Sequence, residues 1–584
     1  MDDDTARTER PSGDERPREC DLVMKGGITS GVVYPLAAVE LAKVYRFRSI
    51  GGASAGAIAA ALTAAAELGR QRGGASFARL EGEAKGLGAN LRSLFQPSAA
   101  LAPLFRILFA AVGAKGTAGR IARVVTACAG AYWPRTLAAL AVAALVAVPA
   151  ALTGRIALAV AAVVALLPLL LLVLWLQRLW RDVTVELPRH GYGLCPGPTQ
   201  PGAARPGLVD WMAGLLDELA LVPANEGTIA ARPLTFGDLE GQGIELRAMT
   251  TSLTLGRPYS LPFENRLFHF RAEELGRLFP ARVVAWMLRE DVQRRAVGEK
   301  EDEIADAAAA RAEGYYRVPL GSDLPVVVAV RMSLSFPVLF AAVPLHARDY
   351  TRREETAKQR LRRVWFSDGG LCRNFPIHLF DSLWPSRPTF GITLEPFEPE
   401  SHATRVFLPG HARQGILRTF RDVESLGGFF GALVGSMQEW QDNLQSTLPG
   451  YRERIAHIAL DGEEGGLNLD MDPKVIDRLV AYGTEVGQRL RDDFDWPAHR
   501  WTRVLSAVLR LDHVLQEKGA VVDRFVAERA TDARPYTQTA AWQDAAVSLL
   551  TAWTAVAESQ DARTVRGSAR EPRPVPRLRL VARE

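Results

Sequence analysis

The chain has 584 residues, of which 48% are hydrophobic and 23% are charged, and its formal net charge is +4. This length allows two or more domains, and the composition excludes a chain that is disordered throughout. The small net charge gives no reason to expect a nucleic-acid partner, and four scattered cysteines predict a reducing compartment without a disulfide framework. Residues 1–20 are densely charged and lack the apolar segment of a signal peptide, so we predict a disordered tail there.

The first predicted strand, Leu22–Met24, runs into a glycine-rich loop. Gly26, Gly27 and Gly31 lie in this loop, which opens a predicted helix over 32–44. Backbone amides at such a loop and helix start have no partner within the helix, so they can stabilise a negatively charged oxygen. A phosphate-binding loop is the alternative, but the Gly-Lys-Ser/Thr ending of that loop is absent.

The second predicted strand ends at residues 52–56, with the sequence GASAG, and a helix rich in small residues follows over 55–68. G-x-S-x-G between a strand and a helix is typical of a nucleophile elbow, a strained turn that exposes a serine hydroxyl. Gly52 and Gly56 are predicted to leave room for this turn, and Ser54 is predicted to attack an acyl carbon. A glycine-rich turn without chemistry is the alternative.

Two apolar segments occupy the middle of the chain, Leu137–Leu152 and Ile156–Leu176. The second has 21 residues without a charge, and about 20 residues span the hydrocarbon core of a bilayer. With tryptophans near their ends and arginines on both outer flanks, they predict a transmembrane hairpin of two helices within a membrane-associated insertion over 91–185. The bilayer is then a partner through residues 137–176, and the flanking parts of the chain face the cytoplasm. A pair of buried core helices and a re-entrant hairpin are the alternatives.

After the insertion, a linker rich in proline and glycine is predicted over 187–207. Apolar β-branched runs then predict buried strands over 244–250, 326–330 and 389–393. The alternation of strands and helices predicts an α/β fold, a three-layer α/β/α domain with a largely parallel sheet. Residues 290–313 are charged and rich in alanine, which favours an exposed helix or a mobile lid.

A carboxylate stands at the end of a further predicted strand, in the sequence FSDGG. Asp368 precedes Gly369 and Gly370, a pattern that alone indicates an ordinary turn. A carboxyl buried beside a serine has its pKa raised towards neutrality by desolvation, which suits it to general-base chemistry. A Ser-His-Asp triad is the rival mechanism, with a histidine after the acid. We interpret the candidate histidines as structural or surface residues: His269, His346 and His378.

These elements, in this order, resemble the patatin-like phospholipase family. Two further blocks match the family's pattern, MTTSLTLGRP over 249–258 as a strand and turn, and RMSLSFP over 331–337 as a helix before the aspartate strand. The resemblance implies hydrolysis of lipid acyl esters by a Ser–Asp dyad, with Ser54 as nucleophile and Asp368 as general base. It also implies that the glycine-rich loop of the first strand forms the oxyanion hole.

The glycine-rich loop departs from the family's pattern of three consecutive glycines followed by a basic residue. Ile28 stands at the position of the third glycine and Ser30 at that of the basic residue. A backbone N–H can donate a hydrogen bond whichever side chain the residue carries. We therefore keep Ile28, with Gly26 and Gly27, in the predicted oxyanion hole. Lys25 is a candidate to replace the basic residue.

The catalytic domain is therefore predicted over 21–395, interrupted by the insertion. A mainly helical region follows over 396–560, with a helix opened by the cap Asp472-Pro473, and a basic tail covers 561–584. The helical region shows no catalytic constellation, so we interpret it as a packing or partner module.

The predicted function is that of a membrane-tethered lipid acyl hydrolase, similar to a phospholipase A or a lysophospholipase. No metal-ligand motif is present in the sequence, so we expect neither a metal nor another cofactor. An acyltransferase, in which an alcohol replaces water, would use the same dyad. A non-catalytic membrane scaffold that binds partners through the helical region is a further alternative.

Overall fold

The structure of the chain is a computed structural model. It describes the stretches 18–27, 30–86, 91–112, 117–223, 232–294, 301–352, 360–400, 402–410, 448–466 and 471–508, with isolated positions between 423 and 555. The predicted N-terminal tail up to residue 17, Ile28 in the glycine-rich loop and the predicted basic tail lie outside the described residues.

The strands of the described stretches are numbered in chain order. They are β1 (Glu19–Met24), β2 (Arg46–Gly52), β3 (Gly193–Cys195), β4 (Glu245–Ser252), β5 (Arg257–Leu261), β6 (His269–Phe270), β7 (Tyr316–Arg317), β8 (Val338–Phe340), β9 (Val343–Arg348), β10 (Leu361–Asp368), β11 (Thr389–Pro396), β12 (Val406–Phe407) and β13 (Ile455–Leu460).

The α-helices are numbered in the same way. They are α1 (Val33–Ala42), α2 (Ala55–Gln71), α3 (Ser76–Gly86), α4 (Leu91–Leu94), α5 (Ala102–Val112), α6 (Thr117–Ala131), α7 (Trp133–Leu152), α8 (Ile156–Ala161), α9 (Leu167–Arg181), α10 (Leu187–Arg189), α11 (Leu208–Leu219), α12 (Phe236–Glu240), α13 (Ala272–Leu275), α14 (Ala281–Leu288), α15 (Glu290–Arg294), α16 (Glu301–Ala312), α17 (Val326–Ser333) and α18 (Pro473–Asp492).

Eleven of the described strands form one sheet, in the order β12-β13-β11-β1-β2-β4-β10-β9-β6-β7 with β5 paired to β4. The five strands β13, β11, β1, β2 and β4 are parallel, and the other pairings of this sheet are antiparallel. The predicted α/β fold is confirmed. The sheet is mixed, however, because parallel pairing is confined to its central strands.

The register of the sheet brings two distant parts of the chain together. Met24 in β1 lies opposite Gly52 in β2, so the loop after β1 and the turn after β2 share one edge of the sheet. Gly52 lies opposite Ala248 in β4, and Thr250, two residues further along β4, lies opposite Asp368 at the end of β10. Strand β4 therefore places the turn after β2 near the end of β10.

The two faces of the sheet are covered differently. Leu22 and Met24 of β1 belong to the main core, which the helices cover. Val23, between them, belongs to a smaller cluster with Phe375 and Ile377. The chain that follows Asp368 is therefore anchored against the face opposite the main helices.

Residues 326–330 were predicted as a strand, and this prediction is wrong. They form the first part of α17, which starts after Pro325 and continues to Ser333. All eight residues of α17 are buried, and a short apolar run does not distinguish a buried helix from a buried strand.

Some predicted boundaries also differ from the structure. Glu19 and Cys20, placed in the predicted tail, belong to β1. The predicted linker 187–207 contains α10 and β3. The sheet also continues past residue 395, because β13 pairs in parallel with β11. In its sequence IAHIAL, apolar and polar residues do not alternate, and all six residues are buried. This pattern is typical of strands that are covered on both faces.

Helix α18 packs closely against α1 through two glycines. A Cβ atom at Gly483 would lie 2.1 Å from the carbonyl oxygen of Val33, and one at Gly487 would lie 2.5 Å from Cβ of Glu40. A salt bridge of 2.7 Å between Arg491 and Glu40 lies at the same contact. Helix α18 is thus packed into the α/β fold.

The insertion contains two helices that are long and apolar enough to cross a membrane, Trp133–Leu152 and Ile156–Arg189, with mean hydropathies of 2.0 and 3.1. Within the most apolar 18 residues of each helix, only 17% and 0% of the residues, respectively, are buried. A tight turn with Gly154 at φ 74° joins them. At the base of the hairpin, buried Asp182 accepts a hydrogen bond of 3.1 Å from the hydroxyl of Tyr132.

Replacing Gly483 by alanine is expected to destabilise the protein by roughly 1–3 kcal/mol, because the new methyl group would overlap the backbone of α1. Gly214 in α11 is a matched control, since a Cβ there meets no atom within 4 Å. Gly214→Ala is expected to be neutral or stabilising by up to about 1 kcal/mol. The measurement is thermal melting of the purified full chain, and equal melting temperatures of the two variants would contradict the packing described.

Candidate active site

Ser54 occupies the turn between β2 and α2 with φ 54° and ψ −129°. This backbone conformation is unfavourable for a residue with a side chain, and such outliers cluster at functional sites. A Cβ atom at Gly52 would lie 2.4 Å from the carbonyl of Gly56, and one at Gly56 would lie 2.3 Å from the carbonyl oxygen of Met24. Glycine is therefore required on both sides, as in a nucleophile elbow.

Asp368 lies at the end of β10 and faces the elbow. Its Oδ1 accepts the N–H of Gly370 at 2.7 Å, and the carboxylate interacts with the hydroxyl of Ser54. Oδ2 is buried and makes no fully formed hydrogen bond with a described residue. Contacts of this kind are often long in unliganded sites and tighten when a substrate binds. The exposed fractions of Ser54 and Asp368 are only 4% and 2%.

Burial has a large effect on the acidity of this carboxyl. Desolvation raises the pKa of Asp368 from its ordinary 3.8 to about 7. The nearby Ser54 hydroxyl and the hydrogen bond from the Gly370 N–H favour the carboxylate and lower the pKa, but by less than burial raises it. Asp368 is therefore suited to exchange a proton with a hydroxyl at neutral pH.

The segment that ends α17 connects the two sides of the site. The hydroxyl oxygen of Ser333 accepts the N–H of Ser54 at 3.0 Å, and the carbonyl of Ser335 accepts the N–H of Asp368 at 3.0 Å. Arg331, which is fully buried, donates to the Ser335 hydroxyl at 2.7 Å. The block RMSLSFP matches the family's pattern, but none of its residues was predicted to have a role. The pattern that could have indicated a role is the spacing of three polar residues, Arg331, Ser333 and Ser335, at every second position of an apolar run.

The structure revises the predicted oxyanion loop. The N–H of Gly26 donates to the carbonyl of Asn374 at 2.9 Å, so it is already occupied. A Cβ at Gly26 would lie 2.1 Å from Oδ1 of Asn374 and 3.1 Å from Cβ of Ser54, so this glycine provides space beside the hydroxyl. Within the described part of the chain, no hydrogen bond occupies the amides of Gly27 and Ala55.

The other predicted positions lie around the same edge. A Cβ at Gly31 would lie 2.9 Å from Cβ of Ala55, and one at Gly369 would lie 2.1 Å from the carbonyl oxygen of Met249. Lys25, the candidate to replace the family's basic residue, instead donates from Nζ to the carbonyl of a β11 residue at 3.1 Å.

An apolar cavity of about 70 Å³ lies beside the elbow. Gly31 and Ala55 line it next to Ser54, and Ala59 and Leu62 continue the lining along the same side of α2. Its other walls come from α1, the end of α3, α4, α11 and the segment 334–340, and every lining residue is apolar.

The candidate histidines do not join this site. The ring of His378 contacts the guanidinium of Arg373, while His269 and His346 pair across β6 and β9, away from the central strands. Burial lowers the pKa of each ring to about 4. The hydrogen bonds and ion pairs of these rings among the described residues go to Arg373 and Glu274, and none goes to the elbow or to the carboxylate. The structure thus gives no support to a Ser-His-Asp triad.

Comparison with known proteins gives an independent line of information. The sequence model of a family described as "Patatin-like phospholipase" matches residues 157–381, a range that includes Asp368. A protein of Rhizobium meliloti (strain 1021) named "RpoH suppressor" is 38% identical over 570 residues, which cover 84% of this chain and 86% of that protein.

Two weaker similarities were also found. "Uncharacterized protein YqhO" of Bacillus subtilis (strain 168) is 30% identical over 146 residues, which cover 25% of this chain and 40% of that protein. Among solved structures, the crystal structure of VipD from Legionella pneumophila aligns with a TM-score of 0.31 and 14% identity, covering 94% of this chain and 90% of that chain.

The Asp368→Asn variant is expected to alter how stability depends on pH. Because the folded pKa of about 7 exceeds the ordinary 3.8, the contribution of this carboxyl is complete below about pH 4 and is lost as pH rises through 7. Asparagine does not ionise, so the variant does not lose this stability as pH rises. The variant should therefore gain stability relative to the wild type as pH rises from about 4 to about 7, by up to ~4 kcal/mol, and keep this gain above pH 7.

The measurement is the melting temperature of both proteins across this pH range. Asp349→Asn is the control, since the hydrogen bonds of that carboxylate lower its pKa to about 2 and keep it ionised throughout. If the stability difference for Asp368→Asn is as flat with pH as that for the control, the assigned pKa is wrong.

Proposed function

Because this chain belongs to the patatin-like phospholipase family, we propose that it is a membrane-associated serine esterase that hydrolyses carboxylic esters of lipids. Ser54 is the nucleophile and Asp368 the general base. The observation that carries the proposal is the contact between the Ser54 hydroxyl and a buried carboxylate more than three hundred positions away. It occurs at a turn whose backbone geometry is that of a nucleophile elbow.

The first half of the reaction forms an acyl-enzyme. Asp368 accepts the hydroxyl proton as Oγ of Ser54 bonds to the ester carbonyl carbon, and the carbonyl oxygen becomes negatively charged. When this intermediate collapses, the bond to the leaving alkoxide breaks and the alcohol leaves with the proton from Asp368. Water then attacks the acyl-enzyme with Asp368 again as base, which releases the fatty acid and restores Ser54.

The amides of Gly27 and Ala55 are the proposed oxyanion donors. Both lie at the edge where the elbow meets the loop after β1, and no described residue occupies them. Ala55 is also the first residue of α2, where the helix dipole favours negative charge. Each such donor contributes about 3–4 kcal/mol to transition-state stabilisation. Gly26, whose amide is occupied, leaves the space that the substrate carbonyl requires.

A lipid ester fits the surroundings of the dyad. The cavity that begins beside Ala55 is lined throughout by apolar residues. Burying a hydrocarbon chain there is favourable by ~0.8 kcal/mol per methylene group. A polar or charged acyl group would lose its hydration without gaining a partner.

The two apolar helices are proposed to cross the bilayer as a hairpin, with the catalytic domain on the cytoplasmic side. Their apolar side chains are exposed, and Trp133 and Trp180, exposed by 61% and 72%, lie towards the ends where interfacial aromatics belong. Arg135, Arg178 and Arg181 lie at the same ends. An even number of crossings is also required, since Ser54 precedes the hairpin and Asp368 follows it.

Ser54→Ala and Asp368→Asn are each expected to lower kcat/KM for a soluble 4-nitrophenyl ester by at least about a thousandfold, because each removes a reacting group. Labelling of the full chain by a fluorophosphonate probe should disappear in Ser54→Ala and become much slower in Asp368→Asn. Ser260→Ala is the control, since that hydroxyl is buried and makes no hydrogen bond to a described residue. Labelling of Ser54→Ala at the control's rate would refute the assigned nucleophile.

Deletion of residues 137–176, bridged by a short Gly-Ser linker, is expected to release the protein into the soluble fraction. The base of the hairpin, with Tyr132, Arg178 and Asp182, stays in place. The measurement is the distribution between the pellet and the supernatant after carbonate washing of membranes. Fluorophosphonate labelling of the variant controls for folding, and a labelled variant that stays in the pellet would show that another element anchors the protein.

A further inference from the structure

The apolar cavity beside the elbow has a second cavity next to it. The outer cavity has a volume of about 870 Å³ and lies between the stretch 91–97, the loop 200–203 and the residues that precede α18. Two side chains, Leu91 and Phe95, line both cavities. They therefore form a wall with the inner cavity on one side and the outer cavity on the other, and we call Leu91 and Phe95 the dividing wall.

The two cavities differ in chemistry and size. The inner cavity is lined by apolar residues, and it follows α2 from Ala55 to Leu62, a rise of about 10 Å. Its volume of about 70 Å³ is roughly half that of a 150 Å³ cavity that holds a benzene molecule. The outer cavity is far larger, and polar side chains such as Arg92 and Gln96 belong to its lining.

The dividing wall is fixed from several sides. The ring of Phe95 packs against that of Phe340, with centroids 5.4 Å apart, and only 6% of Phe95 is exposed. The next residue, Gln96, donates to the carbonyl of Arg205 at 2.9 Å and accepts the N–H of Gln200 at 2.8 Å. The wall is thus held between the catalytic core and the loop after β3.

We propose that the inner cavity binds the acyl chain of the substrate and that the dividing wall sets the longest chain it accepts. This inference rests on the proposed function, since an acyl group bonded to Ser54 starts at the Ala55 end of the cavity. Short acyl chains fit in the inner cavity. Longer chains must displace Leu91 or Phe95, which costs packing contacts, and opening the wall gives them access to the outer cavity.

The first experiment measures kcat/KM of the full chain in detergent for 4-nitrophenyl esters from butanoate to palmitate. Phe95→Ala and Leu91→Ala should shift the preference towards longer chains, by about fourfold for each additional methylene group buried. Ala59→Leu, which fills the inner cavity, should shift it towards shorter chains. Because the shifts have opposite signs, a general loss of folding explains neither.

Matched controls come from α5. Phe105 and Leu104 are exposed by 6% and 9%, close to the 6% and 8% of Phe95 and Leu91, but they line neither cavity. Phe105→Ala and Leu104→Ala should leave the ratio of long-chain to short-chain activity unchanged. If the Phe95→Ala variant keeps the wild-type ratio, or if Phe105→Ala changes it equally, the inference is overturned.

A second experiment separates this inference from the proposed function. Calorimetry measures the binding of fatty acids from hexanoate to tetradecanoate to the Ser54→Ala protein, with and without Phe95→Ala. A longer preferred chain in the double variant supports the dividing wall, even if the wild type hydrolyses no ester. Binding that is absent, or whose chain-length dependence is the same in both proteins, overturns it, even if the wild type is an active esterase.

Discussion

The burial of one carboxyl beside the hydroxyl of a strained serine is the constraint on which the rest of the site depends. Asp368 must lose its water for its pKa to rise to about 7, and Ser54 must hold a backbone conformation that a side chain disfavours. Neither condition is stable in isolation. The surrounding fold imposes both, through glycines at positions where a Cβ atom would lie within 2.5 Å of neighbouring backbone atoms, and through hydrogen bonds to the two backbone amides.

Those two amide hydrogen bonds come from one short segment. Ser333 holds the amide of Ser54 and Ser335 that of Asp368, so the separation of the two groups is set by a single turn after α17. Arg331 secures this turn, since its guanidinium donates to the Ser335 hydroxyl and to the carbonyl of Ala341. A buried charge is costly, and burial lowers the pKa of Arg331 to about 10. The cost is offset by hydrogen bonds that fix the turn from which the amides of Ser54 and Asp368 are held.

The sequence allowed the α/β fold, the elbow, the strand before Asp368 and the two apolar helices to be predicted, because each has a local pattern. What it did not reveal depends on tertiary contacts. A valine-rich run became α17 because all its sides are buried, and β13 was missed because a short apolar strand far from the others has no distinctive pattern. The occupied amide of Gly26 depends on Asn374, nearly 350 positions away, and no local pattern shows such a contact.

The insertion is connected to the candidate site in two ways. Its helices lie between Ser54 and Asp368 in the chain, so bringing these residues together constrains a membrane-crossing insertion to leave and return on one side. Its first residues, in α4 and at Phe95, also line the cavity that begins at the elbow. Phe95 packs against Phe340, with ring centroids 5.4 Å apart, so the start of the insertion belongs to the same packed core as the walls of this cavity. The stretch that leads into the two apolar helices therefore also forms one wall of the cavity beside the elbow.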